Sequence, residues 1–281
     1  MQHKIITTVD GSHTIFVPEL NEHYHSTNGA IQESNHVFIE AGFRYCLRKH
    51  LYQVAEFKNQ SDQMIHNNKG EKKVLIYSQP DNQKHPQQEI NILEIGFGTG
   101  LNGFLTLLES EKWPVNVFYH SVELYPIAVE EAQKLNYSEL VHQAESLKQS
   151  GADQESEITK HSNVNNTLFL KLHSTPWEKA IEITPKFTLL KQNLDFSNPE
   201  EFRSDRLFNL VYFDAFAPDK QPDMWSQDIF NKIHYLCDKN AVFITYCAKG
   251  AVRRMLQSAG FIMERLPGPP GKREILRGEN N

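Results

Sequence analysis

The stretch ILEIGFGTGLNGFLTLL, residues 92–108, places three glycines two positions apart between an apolar run and an apolar helix pattern. The run that leads into it, INILEIG, is short and ends on glycine, as a buried parallel strand does. Beyond the glycines, Leu101, Phe104, Leu105 and Leu108 recur at the spacing of one helix face. Strand, glycine loop and helix make the first half of a βα unit, and the ligand of that loop decides most of what the chain does.

The alternation continues outward. VNVFYHSVE reads as the next strand, and Pro126 opens a helix whose apolar side is Ala128, Val129, Ala132 and Leu135. KFTLLKQNL and LFNLVYFDAF are further apolar segments, followed by a helix carrying Ile229, Phe230, Ile233 and Leu236. NAVFITYC, a helix with Val252, Met255, Leu256 and Ala259, and the strands GFIMERL and REILRG complete the series. Repeated βα units predict an α/β fold with a doubly wound, mostly parallel sheet over 90–281. Residues 138–175 interrupt it as a polar stretch, expected to be a surface insertion without chemistry. Before residue 90 lie a predicted hairpin turning at Asp10-Gly11, a second turn at Asn28-Gly29 followed by a helix, and a polar link over 58–89. Residues 1–89 are thus an N-terminal hairpin and helix extension.

Three ligand classes use a glycine loop between strand and helix. A triphosphate loop needs a Lys after its last glycine at fixed spacing, and none follows here. A dinucleotide loop reads G-x-G-x-x-G, and Leu101 stands where its third glycine belongs. The sequence instead has G-x-G-x-G at Gly96, Gly98 and Gly100, with Glu94 two residues ahead. That acid suits a ligand with an ammonium group and no phosphate, which describes S-adenosylmethionine. Glu94 is expected at the amino-acid end of this cofactor, directly or through water, with the glycines allowing close backbone approach. Asn102 closes the same stretch and is grouped with the cofactor residues. Glu123 ends the second strand, where an acid in this fold class accepts from the ribose hydroxyls, and Asp195 follows the third apolar segment, placed for the adenine amino group.

A second stretch, LVYFDAFAPDKQPDMW, runs a strand straight into Asp214 and the rigid turn Ala215-Phe216-Ala217-Pro218. The carboxylate therefore falls at the carboxyl edge of the sheet, where open α/β folds bind ligands. The turn resembles the Asp/Asn-Pro-Pro-aromatic turn of methyltransferases that act on amino groups. In that role Asp214 orients the acceptor amine and takes its proton, while Phe216 and Pro218 line the acceptor side.

The formal charge of −6 argues against attraction of nucleic acid to the whole surface. The C-terminal segment departs from that balance: Lys249, Arg253, Arg254, Arg265, Lys272, Arg273 and Arg277 face only Glu264 and Glu274 between residues 249 and 278. Lys249, Arg253, Arg254, Lys272 and Arg273 are the expected phosphate contacts. No apolar run is long enough for a membrane helix, and the N-terminus lacks a signal-peptide pattern. Cys46, Cys237 and Cys247 show no metal spacing, and His23 and His25 find no further ligands at sensible spacing, so no metal is expected. Together these predict a cytoplasmic protein with reduced thiols.

EIGFGTGLN (94–102), FDAFAPDKQPDMW (213–225), RRMLQSAGF (253–261), GKREILRG (271–278) and YHSTNGAIQESNHVFI (24–39) resemble one known family. It is the methyltransferase family that completes 5-methylaminomethyl-2-thiouridine at the wobble base of certain tRNAs. Some members are half of a bifunctional enzyme fused to a flavin-dependent oxidase; others stand alone. The resemblance implies a Rossmann-like class I fold and methyl transfer from S-adenosylmethionine to the aminomethyl nitrogen of a wobble uridine in the tRNA anticodon region. It also implies that Asp214 lies nearest the chemistry and that this chain, which lacks the oxidase half, needs no flavin. Two other readings share the fold: a polyamine-type aminopropyl transferase, marked by an acidic pocket for a polycation, and a non-catalytic subunit that binds cofactor and RNA.

Overall fold

The structure is a computed structural model that describes residues 3–51, 88–148 and 155–281. The polar link expected over 58–89 lies outside the described residues except for its last two positions. Strands β1 (Lys4–Thr7), β2 (His13–Val17) and β3 (Glu22–His23) form a small antiparallel sheet, with the first hairpin turning where Asp10-Gly11 predicts. The helix after Asn28-Gly29 is long. It opens at Ala30–Ser34, passes through a π-helical stretch at Asn35–Arg44 and continues to residue 51; we call it α1.

The main body is one eight-stranded sheet. Its parallel centre consists of β4 (Gln88–Ile95), β5 (Val115–Glu123), β7 (Phe187–Asn193), β8 (Phe208–Phe213) and β9 (Cys237–Thr245). Antiparallel partners close both edges: β6 (Ile181–Thr184) on one, β10 (Ile262–Pro267) and β11 (Glu274–Glu279) on the other. The order is β10-β11-β9-β8-β4-β5-β7-β6. From β4 the chain therefore moves outward one way through β5 and β7, then returns to build β8 and β9 on the other side. The crevice at this switch point opens between the carboxyl ends of β4 and β8, where the glycine loop and Asp214 emerge.

The remaining helices are α2 (Leu101–Ser110), α3 (Val129–Ala132), α4 (Tyr137–Lys148), α5 (Glu155–Ser174), α6 (Gln227–Leu236) and α7 (Gly250–Ala259). Helices α6 and α7 bury Ile229, Phe230, Val252 and Leu256 against Val211, Phe213 and Phe243 on one sheet face. On the other face α1 joins α2 and α5 in a core with Val37, Phe38, Phe104, Phe169 and Tyr212. Each such aromatic ring, 0–1% exposed, contributes about 1.5–3 kcal/mol by leaving water. Gly42 lets α1 lie close on the sheet, since a Cβ there would stand 3.1 Å from Ile244 and 3.2 Å from Tyr212. The N-terminal helix is thus a layer of the main core.

Residues 138–175 differ from the expected surface insertion. They form most of α4 and all of α5, and the end of α5 turns Phe169, Leu172 and His173 inward. The apolar residues of α5 that pack inward, among them Leu168, Phe169 and Leu172, fall at the end of a long polar run, too short a signal to announce a buried helix.

Candidate active site

A cavity of about 620 Å³ occupies the switch-point crevice. Its floor is the glycine loop, with Gly96 and Gly98 on the wall, and Glu123, Asp195, Phe196 and Asp214 around them. Its lid is the N-terminal segment from Leu20 through Thr27, which includes Tyr24 and His25. This lid is the main feature that periodicity does not reveal. Its sequence signal is the 24–39 resemblance.

The loop takes its shape from protein neighbours on both sides. Gly96, at φ 95°, would carry a Cβ 2.6 Å from the backbone carbonyl oxygen of Asp214. Gly98, at φ 50°, would meet the Tyr24 ring at 2.8 Å. Both positions therefore need glycine for conformation and for space. The glycines also serve close packing of the loop under Asp214 and against Tyr24, beside the close backbone approach expected of them. Gly100 does not reach the cavity wall; His173 fills the space beside it, 2.7 Å from where its Cβ would lie. The intervening Thr99 is held three ways. His173 Nε2 donates to its carbonyl at 3.1 Å, His25 Nε2 bonds its hydroxyl at 2.7 Å, and Tyr137 donates to that hydroxyl at 3.3 Å. Burial pushes both histidines down to about 4, so each is neutral at pH 7.

Glu123 is half-buried at the end of β5. One carboxylate oxygen accepts from the Gly98 N–H at 2.9 Å and the other from the Tyr125 N–H at 2.8 Å. The carboxylate thus ties the glycine loop to β5 while still lining the cavity. Asp195 also lines it, with one oxygen accepting from the Ser197 N–H at 2.9 Å.

Glu94 is elsewhere. It is fully buried beneath the loop, off the cavity wall, and accepts from the Ser121 hydroxyl at 2.6 Å. Burial, with a smaller push from Asp214, raises it to about 8. Glu94 thus stands behind the cavity lining, two residues before the first glycine of the loop, with its side chain in the covered face of the sheet. Asn102 is likewise off the wall. Its amide donates to Asp214 Oδ2 at 2.8 Å, which makes it a residue that aims Asp214.

Asp214 sits where the strand ends, its N–H bonded to the Ile95 carbonyl at 2.9 Å. Burial raises its carboxyl to about 7; the Asn102 bond and Lys272 pull down, and the charge of Glu33 adds to the rise. The turn after it is braced from behind. Trp225 donates to the Phe216 carbonyl at 2.8 Å and Tyr246 to the Ala215 carbonyl at 2.8 Å. Phe216 lines the cavity and meets Tyr24 edge-on at 5.1 Å between ring centroids. Pro218 is not among the residues that line it. Glu33, unnoticed in the sequence, lies on the wall between the lid and Asp214 and pairs with Lys272 at 2.5 Å.

The basic C-terminal segment is largely paired. Lys249 reaches Asp219 at 2.5 Å, Arg265 reaches Glu274 at 2.6 Å and Arg277 reaches Glu264 at 2.6 Å. Lys249 and Lys272, expected on phosphates, thus have carboxylate partners within the protein. Among the described residues Arg253, Arg254 and Arg273 show no such partner. Among the described residues no group of His, Cys, Asp or Glu could hold a metal ion, and no helix is long and apolar enough to cross a membrane.

Six carboxylates line the cavity, from Glu22, Glu33, Glu123, Asp195, Asp214 and Asp223; Lys272 is the one Lys or Arg among its described lining residues. Among the described lining residues the glycine-loop end offers no cation for a phosphate, while carboxylates stand ready for hydroxyl, amino and sulfonium groups. These residues fit S-adenosylmethionine. Fold and site together have the Rossmann-like class I form. Residues 165–281 match a family model described as S-adenosyl-L-methionine-dependent methyltransferase, a span that contains Asp195 and Asp214 but not the glycine loop. The chain is homologous to the tRNA 5-methylaminomethyl-2-thiouridine biosynthesis bifunctional protein MnmC. It is 26% identical to the Burkholderia thailandensis protein over 275 residues, covering 95% of this chain and 33% of that one. With the Burkholderia pseudomallei protein it shares 27% over 270 residues, again 95% of this chain and 34% of the relative. It spans about a third of the length of these curated relatives. Among solved structures, MnmC2 from Aquifex aeolicus superposes with a TM-score of 0.64 at 20% identity, covering 99% of this chain and 70% of that one.

Proposed function

We propose that this protein methylates the aminomethyl nitrogen of a modified wobble uridine in tRNA, converting 5-aminomethyl-2-thiouridine to 5-methylaminomethyl-2-thiouridine in the cytoplasm. The observation that carries the reading is Asp214: a carboxylate raised to about 7, aimed by Asn102 into an acidic cavity beside the glycine loop. The names of the homologous proteins supply the substrate. Gly96, Gly98, Glu123 and Asp195 would hold S-adenosylmethionine, and Glu94 and Gly100 support that loop from behind. When bound, it supplies a methyl group on a positively charged sulfur, which an amine nitrogen can displace.

An aminomethyl group is an ammonium ion in neutral water and must lose a proton before its nitrogen can attack. Asp214, ionised above about 7, accepts that proton and stays hydrogen-bonded to the amine, fixing the direction of its lone pair. Phe216 and Tyr24 form apolar walls against which a uracil ring can pack. We also propose that 90–281 carries the chemistry and that 1–89 contributes the acceptor wall.

The acidic cavity also favours a second reading, transfer to a polyamine. One comparison separates the two. The protein is incubated with labelled S-adenosylmethionine and tRNA from cells lacking this activity, or with decarboxylated S-adenosylmethionine and putrescine. Label entering tRNA alone supports the wobble-uridine reading. Aminopropyl transfer to putrescine, with tRNA unlabelled, replaces it.

A further inference from the structure

Lys272 is misplaced for a residue whose task is to meet a phosphate. Its ammonium points inward, 2.5 Å from the Glu33 carboxylate and 3.8 Å from the centre of the Tyr246 ring. Glu33 is 7% exposed, and its other oxygen accepts from the Ser26 N–H at 2.8 Å. Tyr246 is fixed by its bond to the Ala215 carbonyl, on the turn that carries Asp214. Carboxylate, aromatic face and a braced hydroxyl make a site for a primary ammonium ion, and the protein fills it with one of its own. The acceptor's aminomethyl group is also a primary ammonium ion, bound for the same wall of the same cavity.

We propose that Glu33 and Tyr246 form the docking subsite for the acceptor's ammonium group, and that Lys272 occupies this subsite until tRNA draws it out onto a phosphate. The exchange rests on the function proposed above and deepens it. It keeps the Glu33 carboxylate paired in the free protein, where a buried charge without a partner is strongly disfavoured. It also explains the position of Lys272 beside exposed Arg273, on the short connection between β10 and β11 at the cavity mouth. An RNA backbone bound by Arg273 lies within a side chain's length of Lys272. As Lys272 leaves, its charge is replaced by that of the incoming acceptor, which then stands next to Asp214 for deprotonation. A bare nucleoside, with no phosphate to offer, has to compete with Lys272 for the subsite.

The test reads binding without turnover, by calorimetry with S-adenosylhomocysteine present. The probes are tRNA bearing 5-aminomethyl-2-thiouridine and the free nucleoside. Lys272→Met should tighten the nucleoside at least threefold, weaken tRNA, and lower the salt-dependence slope of tRNA binding by about one phosphate contact. Glu33→Gln, which keeps an acceptor for the Ser26 N–H, should weaken the nucleoside at least tenfold and leave S-adenosylhomocysteine affinity unchanged. A Lys272→Met protein that binds the nucleoside no better than the wild type, with an unchanged salt slope, would show Lys272–Glu33 to be a fixed structural pair and overturn the exchange. A wild-type protein that binds neither probe would overturn the proposed function, and the exchange with it.

Discussion

Asp214 and Glu94 are both carboxylates raised by burial, yet they serve opposite ends of the problem. Asp214 faces the cavity, and its rise to about 7 suits the proposed role of a base at neutral pH. Asp214→Ala should cut turnover by about 100-fold or more with little change in cofactor affinity, the usual scale for a positioned proton acceptor. In the wild type the rate should climb with pH up to about 7 and then level. Asp214→Asn should remove that rise, which single-turnover rates between pH 5.5 and 9 would show. Glu94 lies under the loop, and its rise to about 8 bears on stability. Both folded and unfolded chains protonate it at low pH. Between its ordinary value near 4.5 and about 8 only the unfolded chain ionises, so folding stability falls across that window as pH rises. Glu94→Gln should therefore match the wild type near pH 5 and exceed it at pH 9, by roughly 2–4 kcal/mol at about 1.4 kcal/mol per unit. Urea unfolding at the two pH values checks this; equal stabilities at pH 9 would mean the buried carboxyl carries no penalty.

The glycine loop is an element whose shape is shared by three others. Asp214 contributes the carbonyl against Gly96, Tyr24 the ring against Gly98, and α5 the imidazole against Gly100. Gly96→Ala should therefore impair two functions together, cofactor binding and turnover, because the Asp214 turn has to shift away from the new methyl. Calorimetry and rate measurements on that variant would separate this from a local effect; loss of cofactor affinity with turnover intact at saturation would contradict it. Strand, loop and helix were legible here because β4, β5, β8 and β9 carry short apolar runs that alternate with helix-spaced apolar faces and, at β4, end on glycine. Asp214 was legible because the LVYF run stops on it. Glu33 was not, since it lies in the polar stretch QES and reaches Lys272 across more than two hundred residues of sequence. The inward face of α5 was hidden for a related reason. Its core residues, Phe169 and Leu172, follow a run of Asn, Ser and Thr whose composition reads as loop.

On the scale of the whole molecule, the proposed function asks an acidic protein to hold an acidic polymer, and the structure narrows how. Four of the seven C-terminal cations are in ion pairs: Lys249, Arg265, Lys272 and Arg277. Each pair reduces the field available to a phosphate, and the exposed one, Lys249–Asp219, adds little to stability. Arg253 on α7 and Arg254 beside it start from the carboxyl edge of β9, the same edge as the cavity, and Arg273 adjoins its mouth. Replacing Arg254 and Arg273 together with alanine should lower the salt-dependence slope of tRNA binding by about two contacts, measured by filter binding across salt concentrations. Lys249→Ala should lower it by much less, as Asp219 already holds that charge. An unchanged slope in the double variant would move the RNA to another face. The central claim, that this cavity delivers a methyl group to an aminomethyl nitrogen on a wobble uridine, meets its most direct test in nucleoside mass spectrometry of treated tRNA. Treated with the protein and S-adenosylmethionine, tRNA lacking the modification should lose 5-aminomethyl-2-thiouridine and gain 5-methylaminomethyl-2-thiouridine in equal amount. A methyl group appearing on any other nucleoside, with 5-aminomethyl-2-thiouridine undiminished, would contradict it.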